Sequence, residues 1–222
     1  MNEEERSGQF DKRGDWARWL VMLILVLVIV GPIIVFAVVG PLFYRSLFVP
    51  PEDPWGENVP GVGQKLAFVS LDPLTNAESS LQAADLQGKV VLMNFWGTWC
   101  PPCLAELPHI ADIHEKYADR DDFKLLAVSC GAGMEEDILQ LQQSTASLLA
   151  NERIDMPTYA DPGQETRAAV DRVAGLDAYP TTLVLDRGGV IRGVWRGYTP
   201  QAPGQMKTLI NRLLAESPTG GS

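Results

Sequence analysis

The residues of this sequence best suited to chemistry are two cysteines, Cys100 and Cys103, which are separated by two prolines. A Cys-x-x-Cys pair beside a strand and helix pattern is typical of thiol–disulfide exchange. The thiolate is the nucleophile of that reaction, and the unpaired amides and dipole at a helix N-terminus stabilise its charge. Pro102 fits the first helical turn, where its fixed backbone turns Cys103 toward Cys100. We therefore expect Cys100 to attack, with a pKa below the usual value of about 8.5, and Cys103 to resolve the mixed disulfide.

Two other uses of this cysteine pair stay open, an inert disulfide and half of a zinc site. A zinc site needs about four ligands, but the nearest candidates, His109 and His114, lie farther along the same predicted helix, and the sequence has no second cysteine pair. A thioredoxin-like copper carrier would require a histidine ligand beyond the next strand, and the sequence has no histidine after His114. We expect a redox-active disulfide with neither a metal nor a cofactor.

The elements that must position the pair form a strand–helix–strand unit. Residues 90–93 are apolar on both faces, as in a central parallel strand covered by helices, and residues 125–128 repeat this pattern. Between them, residues 104–117 have the apolar spacing of a helix. The cysteine pair therefore opens a crossover helix between two parallel strands.

The remainder of the chain predicts further elements of the same domain. Residues 134–150 have the pattern of a helix, with Glu135, Glu136 and Asp137 in its first turn, where the dipole favours acidic groups. Residues 181–185 and 190–195 are predicted to pair as an antiparallel hairpin. The last helix is predicted to bury a row of apolar side chains, namely Met206, Leu209, Ile210, Leu213 and Leu214.

An uncharged segment precedes all of these elements. Residues 19–44 carry no charge, and about 20 helical residues suffice to cross the hydrocarbon core of a bilayer. Four basic residues precede the segment, whereas Arg45 alone follows it in the linker, so the N-terminus is expected in the cytoplasm. Aromatic residues at both ends match interfacial belts, namely Trp16, Trp19, Phe43 and Tyr44. We expect a retained transmembrane helix rather than a cleaved signal peptide or a buried soluble helix.

The sequence thus predicts five segments, one of which is a globular domain. These are a cytoplasmic tail at residues 1–15, a transmembrane helix at residues 16–44, a linker rich in proline and glycine at residues 45–64, the domain at residues 65–216, and a flexible tail at residues 217–222. The net charge of −10 argues against nucleic acid as a partner, because that affinity rests on clustered Lys and Arg.

The sequence around the cysteines, residues 88–108, closely resembles the membrane-anchored thioredoxin-like family that includes the TlpA, ResA and CcmG (DsbE) proteins. Residues 178–182 match the second signature of that family, and the likeness extends over most of residues 65–216. The resemblance implies an α/β thioredoxin-like fold, a central mixed sheet flanked by helices, with Pro180 in cis beside the cysteines. It implies catalytic roles for Cys100, Cys103, Glu106 and Pro180, and active-site surroundings formed by Trp99, Pro101, Pro102, Tyr179 and Thr181.

Proton transfer at the second cysteine needs a further group. Thioredoxin itself resembles this segment but has a buried Asp six residues before its first cysteine, where this chain has Asn94. Glu106 lies one helical turn beyond Cys103 and could exchange a proton with that sulfur. This Glu is a functional residue in the resembling family. The alternative is a solvated carboxylate that interacts with the helix dipole.

A third cysteine, Cys130, ends the second parallel run and should lie at the same edge of the sheet as the pair. It could act as a third redox partner. Because cysteine is among the most buried residue types, we favour an inert buried thiol.

The likeness to ResA and CcmG implies a reductase of protein disulfides on the periplasmic or extracellular side of the bacterial cytoplasmic membrane, anchored in lipid by residues 19–44. The implied partners are substrate proteins with cysteine pairs, such as apocytochrome c, and a transmembrane thiol donor of the DsbD or CcdA type. A disulfide oxidase or isomerase and a non-catalytic adaptor are alternatives. A peroxidase is disfavoured because Met93 and Gly97 occupy the Pro and Thr positions of the P-x-x-x-T-x-x-C pattern.

Overall fold

The structure is a computed structural model that describes residues 12–26, 28, 56–133 and 137–216. The chain divides into two units, residues 1–52 and 53–222. In the first unit, α1 spans Lys12–Leu25. Among the described residues, no helix is both long enough and apolar enough to cross a membrane. Most of the predicted transmembrane helix, at residue 27 and residues 29–44, lies outside the described residues.

The second unit is built on a seven-stranded sheet with the order β2-β1-β5-β4-β3-β6-β7. The strands are β1 (Ser70–Thr75), β2 (Leu81–Gln82), β3 (Val90–Trp96), β4 (Phe123–Ser129), β5 (Thr158–Ala160), β6 (Thr181–Leu185) and β7 (Ile191–Arg196). The helices are α2 (Pro101–Tyr117), α3 (Ile138–Glu152), α4 (Glu165–Ala174) and α5 (Ala202–Ala215), and a 3₁₀ turn spans Ala83–Leu86.

Strand pairing confirms the predicted arrangement around the cysteines. Strand β3 pairs in parallel with β4, and α2 connects them. On its other side, β3 pairs antiparallel with β6, which forms the predicted hairpin with β7. The sheet is therefore mixed and flanked by helices, and the fold is the expected thioredoxin-like α/β fold.

Alternating side chains of β3 serve two cores, because successive residues of a strand point to opposite faces. Leu92 and Trp96 pack with α2 and α5 on one face, whereas Met93 and Phe95 pack on the face that α4 covers. Asn94 lies between Leu92 and Trp96 in this alternation. Its side chain is therefore directed to the face covered by α2.

Two boundaries in the structure can be set beside the predicted ones. Residues 56–64, which the prediction assigned to the linker at residues 45–64, contact the domain, because Gly56 pairs with Val194 and the Gly63 N–H donates to the Ile191 carbonyl at 2.8 Å. Helix α3 spans Ile138–Glu152, and residues 134–136 of the predicted helix lie outside the described residues, as does the predicted tail at residues 217–222. Asp137 caps α3, since its carboxylate accepts the N–H groups of the first turn.

Candidate active site

The cysteine pair lies at the start of α2, as predicted. Cys100 is the N-cap residue, and Pro101 and Pro102 occupy the first two helical positions, where the missing N–H groups of proline cost nothing. Cys100 and Cys103 form a disulfide with a Cα–Cα distance of 5.2 Å. The N–H of Cys103 donates to the Cys100 sulfur at 3.3 Å. The first sulfur therefore sits where backbone amides favour negative charge.

Both cysteines of the pair are buried, and exposed apolar side chains adjoin them in sequence. Cys100 is 3% exposed and Cys103 is 1% exposed. Trp99, directly before the pair, exposes 45% of its surface, and Leu104 within α2 exposes 36%. Apolar side chains are thus exposed on both sides of the cysteine pair in sequence.

The loop before β6 supplies the second part of the site. The Tyr179–Pro180 peptide bond is cis, as the resemblance implies. Thr181 is fully buried, and its hydroxyl donates to the Ala178 carbonyl at 2.7 Å, which ties the loop to the start of β6. The ring of Tyr179 meets the ring of Trp99 edge to face, with centroids 5.4 Å apart. The two signatures, distant in sequence, are therefore in contact.

Trp99 is fixed by the end of β4. Its indole Nε1 donates to the carbonyl oxygen of Cys130 at 2.9 Å. A Cβ at Gly97 would overlap this indole nitrogen and would approach the Cys130 carbonyl oxygen to 2.8 Å. Only a residue without a side chain fits at position 97 while this bond is made. Sequence reasoning treated Gly97 as a departure from the peroxidase pattern and missed this positional requirement.

Glu106 lies one turn beyond Cys103 on α2 and is buried, with 1% of its surface exposed. Its Oε2 accepts a hydrogen bond from the Asn94 amide at 2.8 Å and another from the Thr182 hydroxyl at 3.2 Å. Burial raises the pKa of Glu106 to about 7, while the hydrogen bonds from Thr182 and Asn94 act in the opposite direction. The alternative of a solvated carboxylate is therefore wrong. The contacts with Asn94 and Thr182 are functional candidates that the sequence did not reveal.

Cys130 is a fully buried thiol at the end of β4. Its sulfur donates to the Val128 carbonyl at 3.6 Å. Burial, reinforced by Cys130, raises the pKa of the neighbouring Tyr179 to about 12, although Arg167 opposes the shift. Tyr179 is therefore a neutral hydroxyl near pH 7. The burial expected for Cys130 is confirmed by its own exposure of 0%.

The two histidines that were considered as zinc ligands, His109 and His114, contact other groups. The ring of His109 stacks on the ring of Tyr198 with centroids 6.0 Å apart, and burial lowers the pKa of His114. Within residues 12–26, 28, 56–133 and 137–216, no three side chains of the His, Cys, Asp or Glu type are grouped as a metal site requires. Among the described residues, no set of side chains could serve as the ligands of the alternative zinc site.

A cysteine pair at a helix N-terminus, beside a cis-proline loop on a thioredoxin-like sheet, defines a thiol–disulfide oxidoreductase. The chain belongs to the AhpC/TSA family, whose model matches residues 62–194. Within it, the chain falls in the thioredoxin-like group of the TlpA, ResA and CcmG proteins, as its relatives show.

Two relatives support this placement. The thioredoxin-like protein YneN of Bacillus subtilis is 32% identical over 135 residues, which cover 61% of this chain and 71% of that protein. The thiol-disulfide oxidoreductase ResA of Halalkalibacterium halodurans is 26% identical over 179 residues, which cover 81% of this chain and 86% of that protein. Matches to some other ResA proteins span only 27% to 57% of their length.

A solved structure shows the same fold. It is a thiol:disulfide interchange protein of the thioredoxin family from Chlorobium tepidum TLS, which aligns with a TM-score of 0.55 and 21% identity. The alignment covers 69% of this chain and 97% of that one. At this identity the likeness supports the fold alone.

Proposed function

We propose that this protein is a membrane-tethered, extracytoplasmic reductase of protein disulfides. The observation that carries the proposal is the position of the Cys100 sulfur at the N-terminus of α2, where it accepts the Cys103 N–H at 3.3 Å. A thiolate released there by reduction of the disulfide is stabilised by the helix start. It is the nucleophile that disulfide exchange requires.

The reaction balances through one mixed disulfide. The Cys100 thiolate attacks one sulfur of a substrate disulfide, and the other substrate sulfur leaves as a thiolate. The Cys103 sulfur then loses its proton and attacks the Cys100 sulfur, which releases the second substrate thiolate. The substrate gains two electrons, and the protein is left with the Cys100–Cys103 disulfide.

Glu106 is proposed as the group that takes the proton from Cys103. The two side chains follow each other at one-turn spacing on α2, and both are buried. A carboxyl whose pKa is about 7 can both accept and return a proton near neutral pH. Burial beneath the cysteines supports this role.

Trp99 and Tyr179 are proposed to receive the substrate beside Pro180. Their rings are in contact, and together with Arg167 they line an open groove of about 670 Å³, in which Trp99 is the residue that directly precedes Cys100. We propose that the substrate lies in this groove as an extended segment on either side of its cysteine. The cis-proline loop would present backbone groups to that segment.

Membrane tethering is supported by α1 and the residues after it. The side chains of residues 19–26 are apolar and all exposed. A continuous exposed apolar surface of this kind needs an apolar environment. We propose that residues 16–44 span the bacterial cytoplasmic membrane, with residues 1–15 in the cytoplasm and the domain on the periplasmic or extracellular side.

The substrate and electron donor follow from chemistry and likeness. Substrate proteins carry cysteine pairs, and resemblance to the ResA and CcmG group supports apocytochrome c as one of them. Each turnover leaves the protein oxidised, so a dithiol must reduce it again. A transmembrane thiol donor of the DsbD or CcdA type is the proposed source.

The proposal is tested by trapping partners with the Cys103→Ala variant, in which Cys100 can attack but the resolving sulfur is missing. Mass spectrometry of the mixed disulfides should recover proteins with cysteine pairs, and apocytochrome c among them supports the specific substrate. The double variant Cys100→Ser, Cys103→Ala is the matched control and should trap nothing. Equal recovery from both variants would contradict a thiol mechanism and favour an adaptor.

Two further measurements separate the remaining alternatives. A reduction potential near that of DsbA, about −120 mV, would contradict the proposed reductase activity and favour an oxidase. Protease added to intact spheroplasts should digest the domain of the full chain, while the chain sediments with membranes. A domain protected from protease would contradict the proposed orientation.

A further inference from the structure

Asn94 and Thr182 form a single structural unit beneath the cysteine pair. They are directly opposite each other in the antiparallel pairing of β3 with β6. Both side chains are buried, and the Asn94 amide donates to the Thr182 hydroxyl oxygen at 2.8 Å. Both also donate to the same carboxylate oxygen of Glu106, Oε2. The three side chains form a closed triangle that joins two strands to α2.

The donors of this triangle are fully used. An asparagine amide has two N–H donors, and a threonine hydroxyl has one O–H donor. The Asn94 amide donates one N–H to Thr182 and the other to Glu106. The Thr182 hydroxyl donates its O–H to Glu106. Both donors that reach the carboxylate therefore end on Oε2, and neither reaches Oε1.

The other oxygens of the cluster have no such donor. Glu106 Oε1 and Asn94 Oδ1 are buried and have no hydrogen-bond partner within the described part of the chain. A buried oxygen without a donor is the better place for a proton, because an oxygen that accepts two hydrogen bonds already has its negative charge stabilised. The asymmetry thus distinguishes the two oxygens of one carboxyl.

We infer that Asn94 and Thr182 are positioning residues, which hold Oε2 of Glu106 so that Oε1 is the atom that takes up and returns the proton of Cys103. The inference rests on the proposed function, and it specifies the atom and the two residues that orient it. When the Cys103 sulfur attacks Cys100, its proton passes to Oε1. When the disulfide is reduced, Oε1–H returns that proton to the leaving Cys103 thiolate.

The residue types of Asn94 and Thr182 suit the positioning of Glu106. The side chains that donate to the carboxyl from β3 and β6 are the uncharged Asn94 and Thr182, and the nearest titratable residues along α2 are Cys103, one turn before it, and His109, one turn after it. An aspartate at position 94 would bring a second negative charge to Glu106, whereas the amide donates to the carboxylate and favours its charged form. The hydrogen bonds from Thr182 and Asn94 therefore limit how far burial raises the pKa of Glu106.

The test uses the full chain in its disulfide form, in which the paired thiols do not titrate. Carbon-13 NMR follows the Glu106 carboxyl against pH, and the Glu106→Gln variant assigns its signal. Thr182→Val removes one donor at nearly constant volume, and we expect the pKa of Glu106 to rise by about half to one unit. Thr182→Ser keeps the hydroxyl and should restore the lower value.

Thr145→Val is the matched control. Thr145 is also fully buried, and its hydroxyl makes one side-chain hydrogen bond, to Ser129 at 2.8 Å. The control should leave the Glu106 signal unchanged. If Thr182→Val does not fold, Asn94→Leu removes the other donor and should also raise the pKa of Glu106.

A second readout is the pH profile of disulfide reduction by the reduced protein. Its inflection should move to higher pH in Thr182→Val and return in Thr182→Ser. If Glu106→Gln leaves the profile unchanged, the proposed proton role of Glu106 fails, and the inference fails with it. If Glu106→Gln changes the profile but Thr182→Val has no more effect than Thr145→Val, only the positioning inference is overturned.

Discussion

Glu106 lies one turn beyond Cys103 on the same face of α2, and each of these side chains is 1% exposed. A carboxyl so placed is costly when charged, which is why burial raises its pKa from 4.5 to about 7. Burying the charged form of Glu106 one turn from the reactive disulfide therefore costs the folded state free energy. This cost gives the first prediction.

We predict that Glu106 makes the stability of the disulfide form fall as the pH rises from about 4.5 to about 7. In this window the folded state keeps the proton that the unfolded state releases, so stability decreases with pH. The free energy of unfolding, from urea titrations, should fall by on the order of 3 kcal/mol more in the wild type than in Glu106→Gln.

Glu115→Gln is the control for that experiment, because Glu115 is an exposed carboxyl on the same helix. Its pH dependence should match the wild type. Parallel curves for the wild type and Glu106→Gln would show that the buried carboxyl does not retain its proton on folding.

The second prediction concerns the contact of Trp99 with the end of β4. Gly97→Ala should displace the indole, because the added methyl group overlaps Nε1 and crowds the Cys130 carbonyl. The Trp99 indole N–H signal should shift in NMR spectra, and disulfide exchange should slow by about tenfold or more as the aromatic surface beside Cys100 moves.

The matched control is Gly204→Ala, since a Cβ at Gly204 in α5 would meet no atom within 4 Å. It should leave both the indole signal and the exchange rate unchanged. An exchange rate of Gly97→Ala equal to that of this control would mean that the Trp99 position does not matter for the reaction.

The third prediction concerns Cys130, whose side chain is fully buried. When the reduced, folded protein is treated briefly with iodoacetamide, peptide mass spectrometry should find the label on Cys100 and not on Cys130. Unfolding in urea should make Cys130 reactive. Labelling of Cys130 in the folded protein as fast as Cys100 would revive its interpretation as a third redox partner.

Much of the fold was predictable from local patterns in the sequence. The apolar run that became β3, the helical spacing of α2 and the turn between β6 and β7 are each carried by consecutive residues. Strand β5 has only three residues, and β1 contains Asp72 and Pro73, so neither has the pattern of a buried strand. Helix α4 buries mainly small side chains, which give a weak apolar pattern.

The candidate site was predictable only where its residues are neighbours in sequence. Cys100, Cys103 and Glu106 share one helix, so their spacing places them together. The contact between Asn94 and Thr182 depends on the register of two strands that are 88 residues apart in sequence. The role of Gly97 depends on the approach of Trp99 to Cys130, which is likewise a tertiary contact.

The most direct test of the central claim is the pH dependence of Cys100 alkylation in the reduced protein, with Cys103→Ser and Cys130→Ser substitutions isolating one thiol. Because Cys100 is the N-cap of α2, we predict that its reactivity titrates well below the pKa of about 8.5 of an ordinary cysteine. The same titration after unfolding in urea should return to the ordinary value. A folded-state curve that coincides with the unfolded one would contradict the account.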